Sequence, residues 1–139
     1  MLVPSIINGL SYVDERGTLL YNNNVNLTSV KRSYIIVNNI INPIRAWQGH
    51  KIEQRWFIAI VGNFMIKLIQ IDDWNSPNKS LPKIQFLLNS NTFNVLHIPP
   101  GYISCIESLE LGSKLFVMSD YGFKEIEDDY RFPLDYFNI

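Results

Sequence analysis

Apolar residues along this chain recur mostly two apart, in short runs broken by Gly, Pro, Asn and Asp. Such a pattern predicts half-buried strands joined by turns. Ser11-Tyr12-Val13 and Thr18-Leu19-Leu20-Tyr21 flank Asp14-Glu15-Arg16-Gly17, a turn by composition. Lys31 to Val37 is β-branched and extended, and Asn38 to Asn42 bridges to the central stretch. In Phe64 to Ile71, Phe64, Ile66 and Leu68 alternate with Met65, Lys67 and Ile69. Further strands are expected at Lys83 to Leu88, Phe93 to Ile98, Tyr102 to Ile106 and Lys114 to Ser119. Pro99-Pro100-Gly101 supplies a rigid turn before the third of these. Helical spacing is not sustained beyond two turns anywhere, so the pattern predicts an all-β sandwich or barrel of about ten strands.

The stretch from Ile44 to Gly62 organises the rest. Its first half gathers Arg45, Gln48, His50, Glu53 and Arg55, and its second half, Trp56 to Val61, is apolar at every position. That second half predicts a strand buried on both faces, entering a tight hairpin at Gly62-Asn63. Polar groups on a rigid sheet suit a catalytic or binding site. The tail, Glu125 to Phe137, mixes acidic and aromatic residues. It predicts a turn or short helix and an extended end packed on the body.

Composition narrows the picture. A chain of 139 residues fits one domain, residues 1–139, and can bury roughly 70% of its unfolded surface. Twelve basic and thirteen acidic side chains leave a net charge of −1, which argues against a nucleic-acid footprint. No apolar run approaches the roughly 20 residues of a membrane helix, and the first residues carry no basic leader pattern. The single Cys105 excludes an internal disulfide and reads as a buried thiol in a reducing, cytoplasmic setting. His97, the second of two histidines, reads as packed or surface.

Arg45-Ala46-Trp47-Gln48-Gly49-His50-Lys51 resembles the Arg-Gly-x-His-x-His-Lys of the cupin sugar-nucleotide enzymes. These are the dTDP-sugar 3,4-ketoisomerases (WxcM-like) and the dTDP-4-dehydrorhamnose 3,5-epimerases. Lys31-Arg32-Ser33-Tyr34 resembles a ketoisomerase opening, and Asp14-Glu15-Arg16-Gly17 an Asp-x-Arg-Gly common to both groups. The likeness implies a double-stranded β-helix, the cupin or jelly-roll barrel. It also implies a homodimer whose N-terminal strands, about residues 5–21, are exchanged with the partner, bringing Arg16 to the neighbouring nucleotide.

Several family positions are replaced. The first His is Gln48 and the second is His50. The cupin metal positions fall on Gln48, His50, Arg55 and Ser104. With one imidazole left and a cation among the four, no metal and no cofactor are expected. The epimerase base falls on Gln48, its second His on Ser104 and its acid Tyr on Phe116. Gln and Phe exchange no protons near neutral pH, so epimerisation is disfavoured. The resemblance implies an isomerase of a dTDP-4-keto-6-deoxy sugar in surface-polysaccharide biosynthesis. His50 would shuttle the proton, and Tyr34 would be the second catalytic group. Arg16, Arg45, Gln48, Arg55, Tyr102 and Ser104 would contact the nucleotide-linked sugar. A sugar-nucleotide-binding or structural cupin without catalysis is the alternative. The Trp47, Trp56 and Tyr102 rings suit either a ligand pocket or core packing.

Overall fold

Alternation decides where each strand sends its side chains, and the strand Asn63–Gln70 shows it plainly. In this computed structural model, which describes residues 2–38, 40 and 43–138, Phe64, Ile66 and Leu68 are fully buried and the Met65 and Lys67 between them are half-buried. A period of two puts alternate side chains on opposite faces, so one face of this strand builds the core.

Twelve strands and no helix occur among the described residues. They are β1 (Ser5–Ile7), β2 (Leu10–Asp14), β3 (Gly17–Tyr21), β4 (Arg32–Val37), β5 (Ile44–His50), β6 (Arg55–Val61), β7 (Asn63–Gln70), β8 (Ile84–Asn89), β9 (Val95–Ile98), β10 (Tyr102–Ser108), β11 (Lys114–Ser119) and β12 (Tyr130–Arg131). One five-stranded sheet has the order β1-β9-β6-β11-β4, and a second has β12-β5-β10-β7-β8. The hairpin β2-β3 forms a two-stranded sheet of its own. All pairings are antiparallel. The architecture is the all-β jelly roll expected from the sequence. No described helix is long and apolar enough to cross a membrane.

The main core lies between the two sheets. Phe57, Leu96, Leu115 and Val117 come from one sheet, and Phe64, Ile66, Leu68, Leu88 and Ile106 from the other. Each such side chain contributes about 1.5–3 kcal/mol on burial. A smaller cluster joins Trp47, Ile69, Ile103, Cys105 and Phe137 on the outer side of the second sheet. There the tail folds back, with the Trp47 and Phe137 ring centroids 5.5 Å apart.

Two expectations about the central stretch need correction. It is not a polar strand running straight into an apolar one: β5 and β6 belong to opposite sheets, and residues 51–54 turn between them. Gly62-Asn63 is likewise no hairpin. β6 pairs with β9 and β11, while β7 pairs with β10 and β8, so Gly62 is a corner between sheets. The glycine itself is required there. Its φ is 78°, and a Cβ would fall 2.1 Å from the Ser113 hydroxyl. Burial on both faces holds from Trp56 to Ala59, whereas Ile60 and Val61 are exposed. Near the chain end, the expected turn and packed extended segment are both present: Tyr130 and Arg131 pair with Gly49 and Gln48 as an edge strand, with turns before and after it and no helix. The bridge expected over Asn38 to Asn42 lies partly outside the described residues.

Candidate active site

The site grows from an irregularity in β5. Its partner β10 runs in register at Tyr102↔His50, Ile103↔Gly49 and Ser104↔Gln48, then slips so that Ile106 faces Arg45. β5 thus spends one residue more than β10 between those pairs, which is a β-bulge. Regular alternation would put Arg45 on the face opposite Gln48 and His50. The extra residue returns it to theirs, and all three line one cavity. Trp47 goes to the other face, into the outer cluster. Gly49 is needed in this strand because a Cβ would sit 2.2 Å from the Tyr102 carbonyl oxygen.

The cavity has a volume of about 480 Å³ and lies between the two sheets. Phe57, Ile98 and Ile106 supply apolar wall. Tyr34 from β4, Arg55 from β6, and Tyr102 and Ser104 from β10 join Arg45, Gln48 and His50 around it. Seven of the eight residues singled out in the sequence therefore meet at one place. Arg16 does not. It sits exposed at the tip of β2-β3, paired with Asp14 at 2.6 Å. Trp47 and Trp56 pack in separate hydrophobic clusters and do not line the cavity. His97 lies elsewhere, its Nε2 2.6 Å from Gln54 Oε1 and its ring beside Trp56.

His50 is 8% exposed. Its Nδ1 lies 2.7 Å from the Asp128 main-chain oxygen and 3.3 Å from Glu53 Oε2. A carbonyl only accepts, so Nδ1 carries the proton. In the neutral ring the lone pair is then on Nε2, which has no hydrogen-bond partner among the described residues. Burial first, and the Arg55 guanidinium second, push the His50 pKa below its ordinary 6.5, against the pull of Asp128 and Glu53. The ring is an uncharged base at neutral pH.

Arg55 crosses from the opposite sheet. Its Nη1 donates to the Tyr34 hydroxyl oxygen at 2.7 Å, and its Nη2 to Glu53 Oε1 at 3.3 Å. With its oxygen accepting from Arg55, Tyr34 keeps its own O–H proton to give. The Ser119 hydroxyl also donates to Glu53 Oε1. Gln48 Nε2 donates to Asp129 Oδ1 at 2.9 Å. Burial opposes the Asp129 charge, but hydrogen bonds from Gln48 and Arg131 outweigh it and hold the carboxyl below its usual range. Gln48 Oε1 is thereby left as the acceptor. Arg45 makes no ion pair among the described residues.

Three groups that could ligate a metal, from His50, Glu53 and Asp128, lie within 4.8 Å of one another. Their chemistry does not fit an ion. The Asp128 carboxylate already accepts the amides of Lys51, Ile52 and Glu53. Glu53 Oε1 is held by Arg55 and Ser119, and His50 Nδ1 bears a proton. A guanidinium beside the set would also repel a cation.

Asp128 and Asp129 are site neighbours that the sequence pattern did not single out, and Glu53, gathered with the polar groups of the central stretch, carried no assigned role. The acidic pair in the tail was visible as composition. Its partners, however, lie 75 to 81 residues away along the chain, and no local pattern reports such a contact.

A polar-walled cavity between two antiparallel sheets, with its imidazole and guanidinium groups on β5 and β6 and hydroxyls on β4 and β10, fits a cupin of enzyme-like build. The sequence model described as "FdtA: WxcM-like, C-terminal" matches residues 4–138, so the chain belongs to that family. Three solved structures show the same fold. The ketoisomerase QdtA from Thermoanaerobacterium thermosaccharolyticum, as a His-to-Asn mutant in complex with TDP-4-keto-6-deoxyglucose, superposes with a TM-score of 0.73 at 22% identity, over 95% of this chain and 90% of that one. The WlaRB TDP-quinovose 3,4-ketoisomerase of Campylobacter jejuni gives 0.69 at 22%, over 93% and 92%. The dTDP-4-dehydrorhamnose 3,5-epimerase of Bacillus anthracis, with TDP and PPi bound, gives 0.74 at 14%, over 90% and 76%. By sequence, no curated protein matches the chain significantly.

Proposed function

We propose that this protein is a nucleotide-sugar isomerase. It would move the carbonyl between neighbouring carbons of a dTDP-linked 4-keto-6-deoxy sugar in surface-polysaccharide biosynthesis, acting in the cytoplasm. The observation that carries the reading is the state of His50: buried in the cavity wall, its Nδ1 proton committed to Asp128 and its Nε2 left without a partner. The family membership and the ketoisomerase neighbours support the same reaction class.

In the proposed step, His50 Nε2 takes the proton from carbon 3, and the electron pair forms an enediolate with negative charge on the carbonyl oxygen of carbon 4. The Tyr34 hydroxyl stabilises that oxygen, an oxyanion-hole role. The hydroxyl proton on the oxygen of carbon 3 passes to the oxygen of carbon 4, relayed by the Tyr34 hydroxyl, and the imidazolium returns its proton to carbon 4, leaving the carbonyl at carbon 3 and a hydroxyl at carbon 4. One base on one face suffices. Arg45 would take the diphosphate, with Arg55 assisting from the back of the cavity. Gln48 Oε1, Tyr102 and Ser104 would position the sugar.

Arg16 enters through a second copy of the chain. Leu10, Tyr12, Val13 and Leu19 of the hairpin are each more than half exposed, and a lone two-stranded hairpin is marginal in water. A homodimer in which the partner covers this hairpin would bring Arg16 to the neighbouring nucleotide.

The test is solvent-deuterium incorporation. Wild-type protein incubated in D2O with a dTDP-4-keto-6-deoxy sugar should label the sugar ring. The second reading, a binding cupin without catalysis, is favoured by Gln48, Ser104 and Phe116 standing at the epimerase base, second His and acid positions. It predicts binding with no label, and that result refutes the isomerase.

A further inference from the structure

The proposed reaction uses His50 but leaves unexplained why so much buried polar chemistry surrounds Asp128. This residue is 3% exposed, and its carboxylate spans three successive amides. Lys51 N donates to Oδ1 at 2.9 Å, while Ile52 N and Glu53 N donate to Oδ2 at 2.9 and 2.8 Å. These amides form the turn between the two sheets, immediately after His50. The same turn delivers Glu53, whose Oε2 stands 3.3 Å from His50 Nδ1. The main-chain oxygen of Asp128 is the group that takes the Nδ1 proton. One residue of the tail therefore holds the ring directly and holds the loop that brings the carboxylate to the ring.

This part of the tail, residues 125–132, is a strap anchored on both sides of the contact. Downstream, Tyr130 and Arg131 pair with Gly49 and Gln48, and Phe132 exchanges two main-chain hydrogen bonds with Trp47, both at 3.0 Å. Upstream, the Glu125 carboxylate pairs with Lys31 Nζ at 3.3 Å. Asp128 thus arrives at His50 from a fixed strand edge. A carboxylate bridging three amides also leaves no room for register slip, since each oxygen has its donor.

We propose that Asp128 is a positioning residue for the proton shuttle: it fixes His50 in the Nδ1–H tautomer, with Nε2 as the base, and sets Glu53 against the ring. The proposal rests on the isomerase reading for its effect on turnover, but not for its structural content. A hydrogen bond of this kind to the far nitrogen of a working imidazole determines tautomer and orientation. The charged and titratable groups facing His50 are Glu53 and Arg55 from the turn and β6, Asp128 and Asp129 from the strap, Tyr34 from β4 and Tyr102 from β10.

The experiment reads the ring itself. Long-range ¹H–¹⁵N correlation spectra of uniformly ¹⁵N-labelled protein, with His50 assigned through His50→Asn, should show an Nδ1–H neutral imidazole at neutral pH. An Nε2–H tautomer overturns the proposal, whether or not the protein turns over any sugar. Asp128→Asn replaces one acceptor oxygen by an N–H donor facing a backbone amide. With TDP binding retained, this variant should show mixed tautomers for His50 and a shifted ring titration. Its kcat should fall about 10–100-fold with KM nearly constant, as for other outer-shell partners. A lower Tm with an unchanged His50 spectrum and kcat would make Asp128 merely structural and overturn the proposal. Should Asp128→Asn fail to fold, the wild-type spectrum and Glu53→Gln decide: Glu53→Gln must shift the ring titration, and an unaltered titration overturns the placement of Glu53. Absence of deuterium exchange in wild type alongside the Nδ1–H tautomer would remove the isomerase reading and leave the positioning intact.

Discussion

At the His50 end of the cavity, the turn after β5, the start of β6 and the distant tail converge on a single imidazole; at the β2-β3 hairpin, one part of the chain pairs its strands only with each other. Glu53 and Arg55 come from the turn and β6, Asp128 from the strap, and each is at most 8% exposed. The hairpin shows the reverse. Val13 is 68% exposed and Leu19 61%, and among the described residues Arg16 binds only its neighbour Asp14. A buried network in low dielectric holds its members tightly because any unpaired group there is costly. An exposed hairpin carries no such constraint. The groups around His50 are thus fixed within one copy of the chain, while the hairpin offers exposed apolar surface and a guanidinium whose ion pair, among the described residues, is with Asp14.

The largest effect is expected at the wired end. His50→Asn should lower turnover on a 4-keto nucleotide sugar by about 10²–10⁴-fold, the usual consequence of losing a general base. Nucleotide binding by calorimetry should stay nearly intact, because the diphosphate is assigned to Arg45. Deuterium exchange at the full wild-type rate in this variant would assign the proton transfer elsewhere, and the contrast between the two regions would lose its functional meaning.

Arg45 tests the cavity rim next. Its guanidinium suits a bidentate contact with a diphosphate. Arg45→Ala should weaken TDP binding by about 2 kcal/mol, in the range for hydrogen bonds to charged groups. Unchanged affinity in calorimetry would remove the assignment. The same titration on Arg16→Ala compares the regions directly. A loss appears only if the hairpin reaches a neighbouring site, and it should vanish in protein diluted to monomer.

These residues also show what the sequence could and could not reveal. The all-β class, ten of the twelve strands and the seven candidates that line the cavity were legible, because alternation is local and the Arg45 to Lys51 pattern is specific. The bulge in β5 was not, since an extra residue in a strand leaves no mark in composition. Nor was the division of Ile44 to Val61 between two sheets. Continuous apolar residues from Trp56 onward looked like one uninterrupted element, and the turn at residues 51–54 is stabilised by Asp128 from far along the chain. Gly62 has the positive φ of a tight turn, yet it joins two sheets rather than two paired strands, because φ at one residue does not specify which strands pair.

A smaller effect is expected at the hairpin. Val13→Asp, placed on the exposed face, should shift sedimentation at micromolar concentration toward monomer. The unfolding free energy of the monomer should change by within about 0.5 kcal/mol, as for surface sites with no special role. Wild type that sediments as a monomer throughout would remove the second copy and, with it, any role for Arg16 at a neighbouring cavity.

The smallest effect is on the pH dependence of stability, and its sign is set by His50. Burial and Arg55 hold its folded pKa below 6.5, so the folded state takes up the proton less readily than the unfolded chain. Between those two pKa values the unfolded state binds more protons, and stability falls as pH is lowered. The contribution is fully present above pH 6.5 and is lost progressively as pH falls through the folded value. His97 shifts the same way, through burial against a weaker pull from Asp120, so it adds to the slope and must be separated. Urea unfolding at pH 7.5 and pH 5.5 on wild type, His50→Asn and His97→Asn does this. Each variant should lose less stability than wild type over the interval. The reduction should be greater for His50→Asn, whose ring is the more deeply buried. The hairpin adds little, because hydrogen bonds from Arg16 hold the Asp14 carboxyl below its ordinary range, so it titrates at lower pH than this interval. A wild-type slope equal to that of His50→Asn would mean that His50 titrates alike in the folded and unfolded chain, and the buried, uncharged base would have to be given up.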